Sequence, residues 1–347
     1  MAPFRVALSA DFRKADGSLA YPMFDLAPLR SDPAIEMDFV EAVEGAMPAL
    51  ALAEFDALIL LGNRFTKASI PANGRLGIVA RFGVGYDNVD VPACTDAGIL
   101  LAITPDGVRR PVAVAIMTFI LALSGRLMVK DGLTREGPAG FARRSAHMGV
   151  GLVGKTLGSL GIGNIGAEMF RLAQPFDMHF IAHDPYADPG VAAEVGVTLV
   201  DVEVLFRNAD FLAVNCPLND HTRHFINAER LALMKPSAFL INTARGPIVD
   251  QKALTQVLAD GRIAGAGLDV LDKEPPDIDD PILKLDNVIF TPHALCWTDQ
   301  CFAGIGAADV RAVLDYKNGR VPRGLVNREV LDAPAWKGRL AQTGSRQ

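Results

Sequence analysis

A histidine, a glutamate and an arginine each follow the end of an apolar run in the second half of this 347-residue chain. His293 closes Phe290-Thr291-Pro292-His293. Glu274 lies in Leu268-Asp269-Val270-Leu271-Asp272-Lys273-Glu274, ahead of a proline that biases its backbone to an extended, stiff form. Arg245 closes Asn242-Thr243-Ala244-Arg245. Singly, each has a plain structural reading: a packed histidine, one acid in a loop that also holds Asp272, Asp277, Asp279 and Asp280, and a surface ion-pair arginine. At the exits of successive strands, where open α/β sheets bind ligands, they make a set with one chemical use. The imidazole is the acid/base. A carboxylate beside it orients it and favours its protonated form, and the planar guanidinium fork holds an anionic substrate.

The partner for that set is suggested by Gly161-Ile162-Gly163-Asn164-Ile165-Gly166, which follows an apolar run from Thr156 and opens a helical pattern to Gln174. Strand, tight turn and helix are the order that a dinucleotide requires. Gly161 permits the turn and Gly163 lets the backbone approach a pyrophosphate. Gly166 allows close helix–strand packing, and the helix N-terminus offers N–H groups and partial positive charge. The next strand ends at Asp184, 18 residues past Gly166, where a carboxylate would accept adenosine ribose hydroxyls. A surface-turn aspartate before Pro185 is the alternative. From Leu172 through Phe206 the chain has no Lys or Arg. A 2′-phosphate would meet Asp184 without a local cation, a repulsion on the order of a few kcal/mol. The expected cofactor is therefore NAD rather than NADP.

Repeated strand and helix patterns must position these groups. Strands are expected at 4–9, 55–61, 76–80 and 98–104, a small open-sheet block ending near Pro105. A second, doubly wound block has strands at 156–161, 179–183, 211–215, 238–242, 265–268 and 288–291, with helices at 164–174, 202–207, 227–233 and 251–260. A helix is expected over 111–126, with Pro111 near its first turn. Another is expected over 299–317. Residues 127–153 read as irregular, Gly- and Arg-rich chain: an arm on a partner subunit, or a flexible surface loop.

Half the residues are hydrophobic, about a fifth are charged, and the formal net charge is −6. This suits an ordinary two-domain α/β protein. No basic, aromatic-interleaved stretch favours nucleic acid. Cys94, Cys216, Cys296 and Cys301 form no metal-ligand spacing and read as thiols of a reducing compartment. The apolar run 112–123 is short for a bilayer and reads as a buried helix. With no apparent signal region, the expected location is the cytoplasm.

Along nearly its whole length the sequence resembles the D-isomer-specific 2-hydroxyacid dehydrogenase family. The match is densest in the glycine turn from Gly154, in Asn242-Thr243-Ala244-Arg245-Gly246, in Leu268-Asp269-Val270-Leu271-Asp272-Lys273-Glu274-Pro275 and in Thr291-Pro292-His293. The resemblance implies a Rossmann NAD-binding domain, 109–295, inserted into a flavodoxin-like substrate (lid) domain of 1–108 and 296–331; the tail, 332–347, is rich in Pro, Gly, Arg and Gln and is expected to be loosely ordered. It implies that Arg245 binds the substrate carboxylate and 2-oxo group, that His293 is the proton donor, and that Glu274 bonds the other imidazole nitrogen. Asn164 and Ile165 would contact the pyrophosphate. Thr243, Ala244 and Asp269 would lie by the nicotinamide, and Cys216 and Pro217 by the adenosine. Val84 and Gly85 would cradle the substrate carboxylate with their N–H groups. The family also implies a homodimer through the inserted domain, with 127–153 as the contact.

Three positions depart from the family pattern. Asn164 stands where an arginine is common, Val112-Ala113-Val114-Ala115 lacks the usual charge, and Trp297 replaces a small residue and would narrow the substrate pocket. Arg64, Arg109 and Arg110 would suit a substrate with a second anionic group if they lay at the cleft mouth; solvent-exposed arginines are the alternative. Two other functions share the motifs. Formate or phosphite oxidation is one, although formate enzymes pair the histidine with Gln rather than Glu. An NADH-sensing binding protein of the corepressor type is the other.

Overall fold

The structure is a computed structural model that describes residues 3–334 and 336. The chain divides into two compact units, one of Met1–Val108 with the chain from Trp297 onward, the other of Arg109–Cys296.

The first unit is built on β1 (Phe4–Ser9), β2 (Ile35–Val40), β3 (Ala57–Leu60), β4 (Ile78–Arg81) and β5 (Leu100–Ala102), all parallel, in the order β2-β1-β3-β4-β5. This is the flavodoxin-like order. The second unit has β6 (Thr156–Leu160), β7 (His179–His183), β8 (Thr198–Leu199), β9 (Phe211–Val214), β10 (Phe239–Asn242), β11 (Gly265–Leu268) and β12 (Val288–Phe290). Read from β8, its parallel strands run β8-β7-β6-β9-β10-β11-β12, the Rossmann order with one added strand. The order reverses between β6 and β9, so a crevice opens beyond the C-terminal ends of these strands.

Central strands are unbroken apolar runs because helices cover both faces. β3, β9, β10 and β11 are buried at every residue. Two edge strands, β2 and β8, fall outside the strands expected from sequence. β2 buries only Ile35 and Val40, and β8 is exposed at both residues. An edge strand needs no continuous apolar run, so neither has the pattern that marks a central strand.

The helix expected over 111–126 is longer and spans Pro105–Gly125. Pro105 provides the donor-free start six residues earlier, and Asp106 favours the positive helix end, leaving Pro111 inside the helix. At 21 residues it is long and apolar enough to cross a bilayer by those measures alone, yet Ala113, Ile116, Phe119 and Ile120 are buried in the second unit's core. Residues 127–153 are not irregular throughout. They form helices Leu127–Arg135 and Pro138–Arg143 and a 3-10 turn Arg144–Ala146, separated by positive-φ residues Arg126 and Gly137. Of the expected tail, Trp336 is buried and stacks with Tyr316, and the rest lies largely outside the described residues.

Candidate active site

The glycine turn leaves β6 at the switch point. Gly161 has φ +96°, and a Cβ there would lie 2.8 Å from the Asn215 carbonyl oxygen. A Cβ on Gly166 would lie 2.7 Å from the Gly161 carbonyl oxygen, so both positions require glycine. Ser159 Oγ donates to the same carbonyl at 2.6 Å and accepts from Asn215 Nδ2 at 2.9 Å, which ties the turn to the end of β9. Helix Asn164–Ala173 follows, with Gly163 at its N-cap and no side-chain cap. Open space lies where a Gly163 side chain would stand. An uncapped helix end with an open cradle fits the pyrophosphate of a dinucleotide.

Asp184 follows β7. Its carboxylate accepts from Ile162 N and Tyr186 N, each at 2.9 Å, so it is fastened to the glycine turn. With His183, Leu199, Val200, Asp201 and Val204 it lines a shallow groove. Cys216 and Pro217 follow β9. Burial, together with the Asp184 charge, pushes the Cys216 thiol up to about 11, so it is a neutral packing group.

Three loops beyond β10, β11 and β12 carry the polar set. Buried Asn242 ends β10. Its Nδ2 donates to the Arg245 carbonyl at 2.9 Å, and its Oδ1 accepts from Ala244 N at 3.0 Å, shaping the Thr243–Arg245 loop. Arg245 Nη1 donates to the Ala244 carbonyl at 2.7 Å. A Cβ on Gly246 would come within 1.9 Å of the Leu271 carbonyl oxygen, so the loops after β10 and β11 meet at a bare backbone.

The Glu274 carboxylate accepts from Leu271 N at 2.9 Å and lies 2.8 Å from His293 Nδ1. Burial alone would raise its pKa. The hydrogen bonds from His293 and Leu271 and the charges of His293 and Arg245 outweigh that and hold it below the usual glutamate range. His293 has φ 56°, an unusual backbone for a non-glycine residue. Its N–H donates to the Asp269 carbonyl at 2.8 Å. Asp269, buried, spends Oδ1 on Thr291 Oγ1, Ala294 N and Leu295 N at 2.5, 2.9 and 3.1 Å. Asp269 thereby anchors the turn that presents His293. Asn242 and Thr291, the other two anchors, lie within the motifs that carry the family resemblance, but nothing in the linear sequence marks them as loop anchors.

Arg109, Arg110 and Arg171 surround Glu168 of the helix after the glycine turn; Glu168 is 3% exposed, and Arg110 Nε lies 2.6 Å from it. In the first unit, Arg64 donates to the Glu44 carbonyl at 2.8 Å. The Arg109 and Arg110 side chains are also 43% and 59% exposed, in keeping with the solvent-exposed alternative. Val84 and Gly85 follow β4 and Gly83, whose N–H donates to Thr104 Oγ1 at 3.0 Å. Among the described residues, neither the Val84 nor the Gly85 N–H donates to a protein acceptor.

Comparison with known proteins agrees with this architecture. Residues 117–294 match the family model described as D-isomer specific 2-hydroxyacid dehydrogenase, NAD binding domain. A glyoxylate reductase of Korarchaeum cryptofilum is 38% identical over 278 residues, which cover 80% of this chain and 84% of that protein. Among solved structures, the PH0520 protein of Pyrococcus horikoshii OT3 has the same fold, with a TM-score of 0.82 at 24% identity over 98% of this chain and 99% of its own. D-lactate dehydrogenase of Aquifex aeolicus, complexed with NAD and lactic acid, has a TM-score of 0.78 at 26% identity, covering 93% of this chain and 99% of its own. The Rossmann unit with its glycine turn is thus an NAD-binding domain, and the chain belongs to the D-isomer-specific 2-hydroxyacid dehydrogenase family.

Proposed function

We propose that this protein reduces a 2-oxo acid to the D-2-hydroxy acid, and runs the reverse oxidation, with the nicotinamide cofactor in its NAD form. The observation that carries the reading is the 2.8 Å contact of Glu274 with His293 Nδ1, which leaves Nε2 without a protein partner among the described residues. Arg245 binds the substrate carboxylate and polarises the 2-oxo group. NADH, when bound, supplies hydride to C2. His293 donates its Nε2 proton to the oxygen at C2 as that oxygen gains charge, while Glu274 holds the ring through Nδ1 and stabilises its positive form. The unspent Val84 and Gly85 N–H groups give the first unit a carboxylate contact of its own.

Gly161, Gly163, Asn164, Ile165 and Gly166 hold the pyrophosphate. Asp184 takes the ribose hydroxyls, and Cys216 and Pro217 border the adenosine. Thr243 and Ala244 flank the nicotinamide, where Asp269 acts by holding the His293 turn. Asp184 and Asp201 on one groove, in a stretch free of Lys and Arg, support NAD over NADP. Leu127, Met128, Phe141 and Met148, all exposed, support 127–153 as a homodimer contact, which sedimentation checks directly.

The test is NADH oxidation with a panel of 2-oxo acids. His293→Ala should lose ~10²- to 10⁴-fold in turnover, the scale of general acid catalysis, and still bind NADH. NADH binding with no turnover of any 2-oxo acid would instead favour the corepressor-type reading.

A further inference from the structure

The first unit carries an aromatic cluster with an exposed rim. Tyr21 stacks on Phe302 at 4.1 Å with the planes 10° apart. Phe82 stacks more loosely with both, at 6.1 and 5.9 Å. Trp297 meets Tyr21 and Phe302 edge-on, at 5.6 and 5.4 Å. Phe82, 4% exposed, belongs to the packed base with Phe12 and Phe24, 0% and 1% exposed, whose rings it meets at 5.1 and 5.0 Å. Trp297 is 51% exposed. The cluster therefore grades from a packed base to an open indole, held in place by two ring neighbours.

Its position gives it a use. Phe82 directly follows β4, and the next residues after Gly83 are Val84 and Gly85, with their unspent N–H groups. The cluster thus adjoins the proposed carboxylate contact at the C-terminal edge of a parallel sheet, where ligands bind. Its charges argue against a second anion. Asp11 acts electrostatically on Tyr21, whose phenol is pushed up first by burial and then by that charge. Arg64 is bonded to the Glu44 carbonyl, and Arg81 to the Phe82 carbonyl at 2.7 Å, with its charge felt by buried Asp309. Edge and face contacts of aromatic rings reward a flat apolar group.

We infer that Tyr21, Trp297 and Phe302, backed by buried Phe82, form the subsite for the substrate's C3 side chain, and that this side chain is aromatic, as in phenylpyruvate. The inference rests on the 2-oxo acid reductase reading above. The experiment compares kcat/KM for phenylpyruvate, glyoxylate and 2-oxoglutarate in the wild type and in Trp297→Ala, Phe302→Leu and Tyr21→Phe. The wild type should favour phenylpyruvate over either other acid by tenfold or more. In Trp297→Ala and Phe302→Leu the phenylpyruvate-to-glyoxylate ratio should fall about tenfold, mainly through KM, since each removes a ring contact. Tyr21→Phe, which keeps the ring, should hold the ratio. Because Trp297 is half exposed, its truncation leaves the packed base intact. Wild-type preference for glyoxylate or 2-oxoglutarate, or an equal loss on all three acids, would overturn the subsite and leave the reductase reading standing. Absence of turnover on every 2-oxo acid would overturn that reading itself, and the subsite with it.

Discussion

Replacing Glu274 with glutamine tests the core of the proposed chemistry, because it changes charge and hydrogen-bond count without changing size. The carboxylate accepts from two donors, Leu271 N and His293 Nδ1. An amide has one acceptor oxygen. If that oxygen stays on Leu271 N, the NH2 group faces Nδ1 and disfavours an imidazolium. If the oxygen turns to His293, the NH2 group opposes the Leu271 N–H. Either way the positive imidazole loses support. Two unit charges about 4 Å apart interact by roughly 1 kcal/mol in water and roughly 4 kcal/mol near a protein surface. The Glu274 and His293 side chains are 37% and 44% exposed, so screening places the pair between these limits. A loss of about 1.4–2.7 kcal/mol corresponds to a ~10- to 100-fold drop in reductive kcat/KM.

The assay is initial-rate NADH oxidation across pH. Glu274 is held below its usual 4.5, so its charge is present above that value and is lost only as pH falls through the lowered one. It therefore sets no limb near neutrality. In Glu274→Gln the acid-side loss that comes from protonating Glu274 should disappear, because no carboxylate remains to take the proton. Activity within twofold of wild type across the pH range would refute the assignment of Glu274 as the orienting carboxylate.

Three further substitutions probe the scaffold. Asp184→Ala should narrow the preference for NADH over NADPH by tenfold or more in kcat/KM. It should also cost about 1 kcal/mol of stability by thermal melting, because Ile162 N and Tyr186 N lose their acceptor. Gly246→Ala must push apart the loops after β10 and β11, and should destabilise the protein by ~1–3 kcal/mol while depressing turnover. Asp309 is fully buried and, among the described residues, has no hydrogen-bond partner on either carboxylate oxygen; burial raises its pKa well above the ordinary 3.8 despite the opposing charge of Arg81. The folded state keeps a proton there that the unfolded state releases, so wild-type stability falls as pH rises above the unfolded value. Asp309→Asn removes that penalty, and its melting temperature relative to wild type should rise from pH 5 to pH 8.

Much of this protein is determined by local sequence. A central parallel strand is a short apolar run, so β1, β3, β6, β7, β9, β10 and β11 are legible to within a few residues, and so is the edge strand β12, whose Val288-Ile289-Phe290 is also an apolar run. A glycine turn between such a run and a helix states its ligand class, and Arg245, Glu274 and His293 are marked by their types at strand exits. Tertiary structure decides what local pattern does not encode. β2 alternates Ile35, Met37 and Phe39 with Glu36 and Asp38, a half-buried edge pattern rather than a continuous apolar run, whereas the two exposed residues of β8 form a strand only because the edge of β7 accepts them. Pro111 lies within a helix whose start is set at Pro105. Asp269, expected beside the nicotinamide, spends its buried carboxylate on the turn that carries His293. Arg109 and Arg110, which a linear reading leaves as either cleft-mouth or solvent-exposed cations, face Glu168, 58 residues beyond Arg110 in sequence. Tyr21, Phe82 and Phe302 are widely separated in sequence and stack only when the strand ends and the helix Asp299–Lys317 converge. The division follows from range: hydrophobic periodicity and backbone strain act within a few residues, whereas charge pairing, edge pairing and ring stacking depend on groups that only the folded chain brings together.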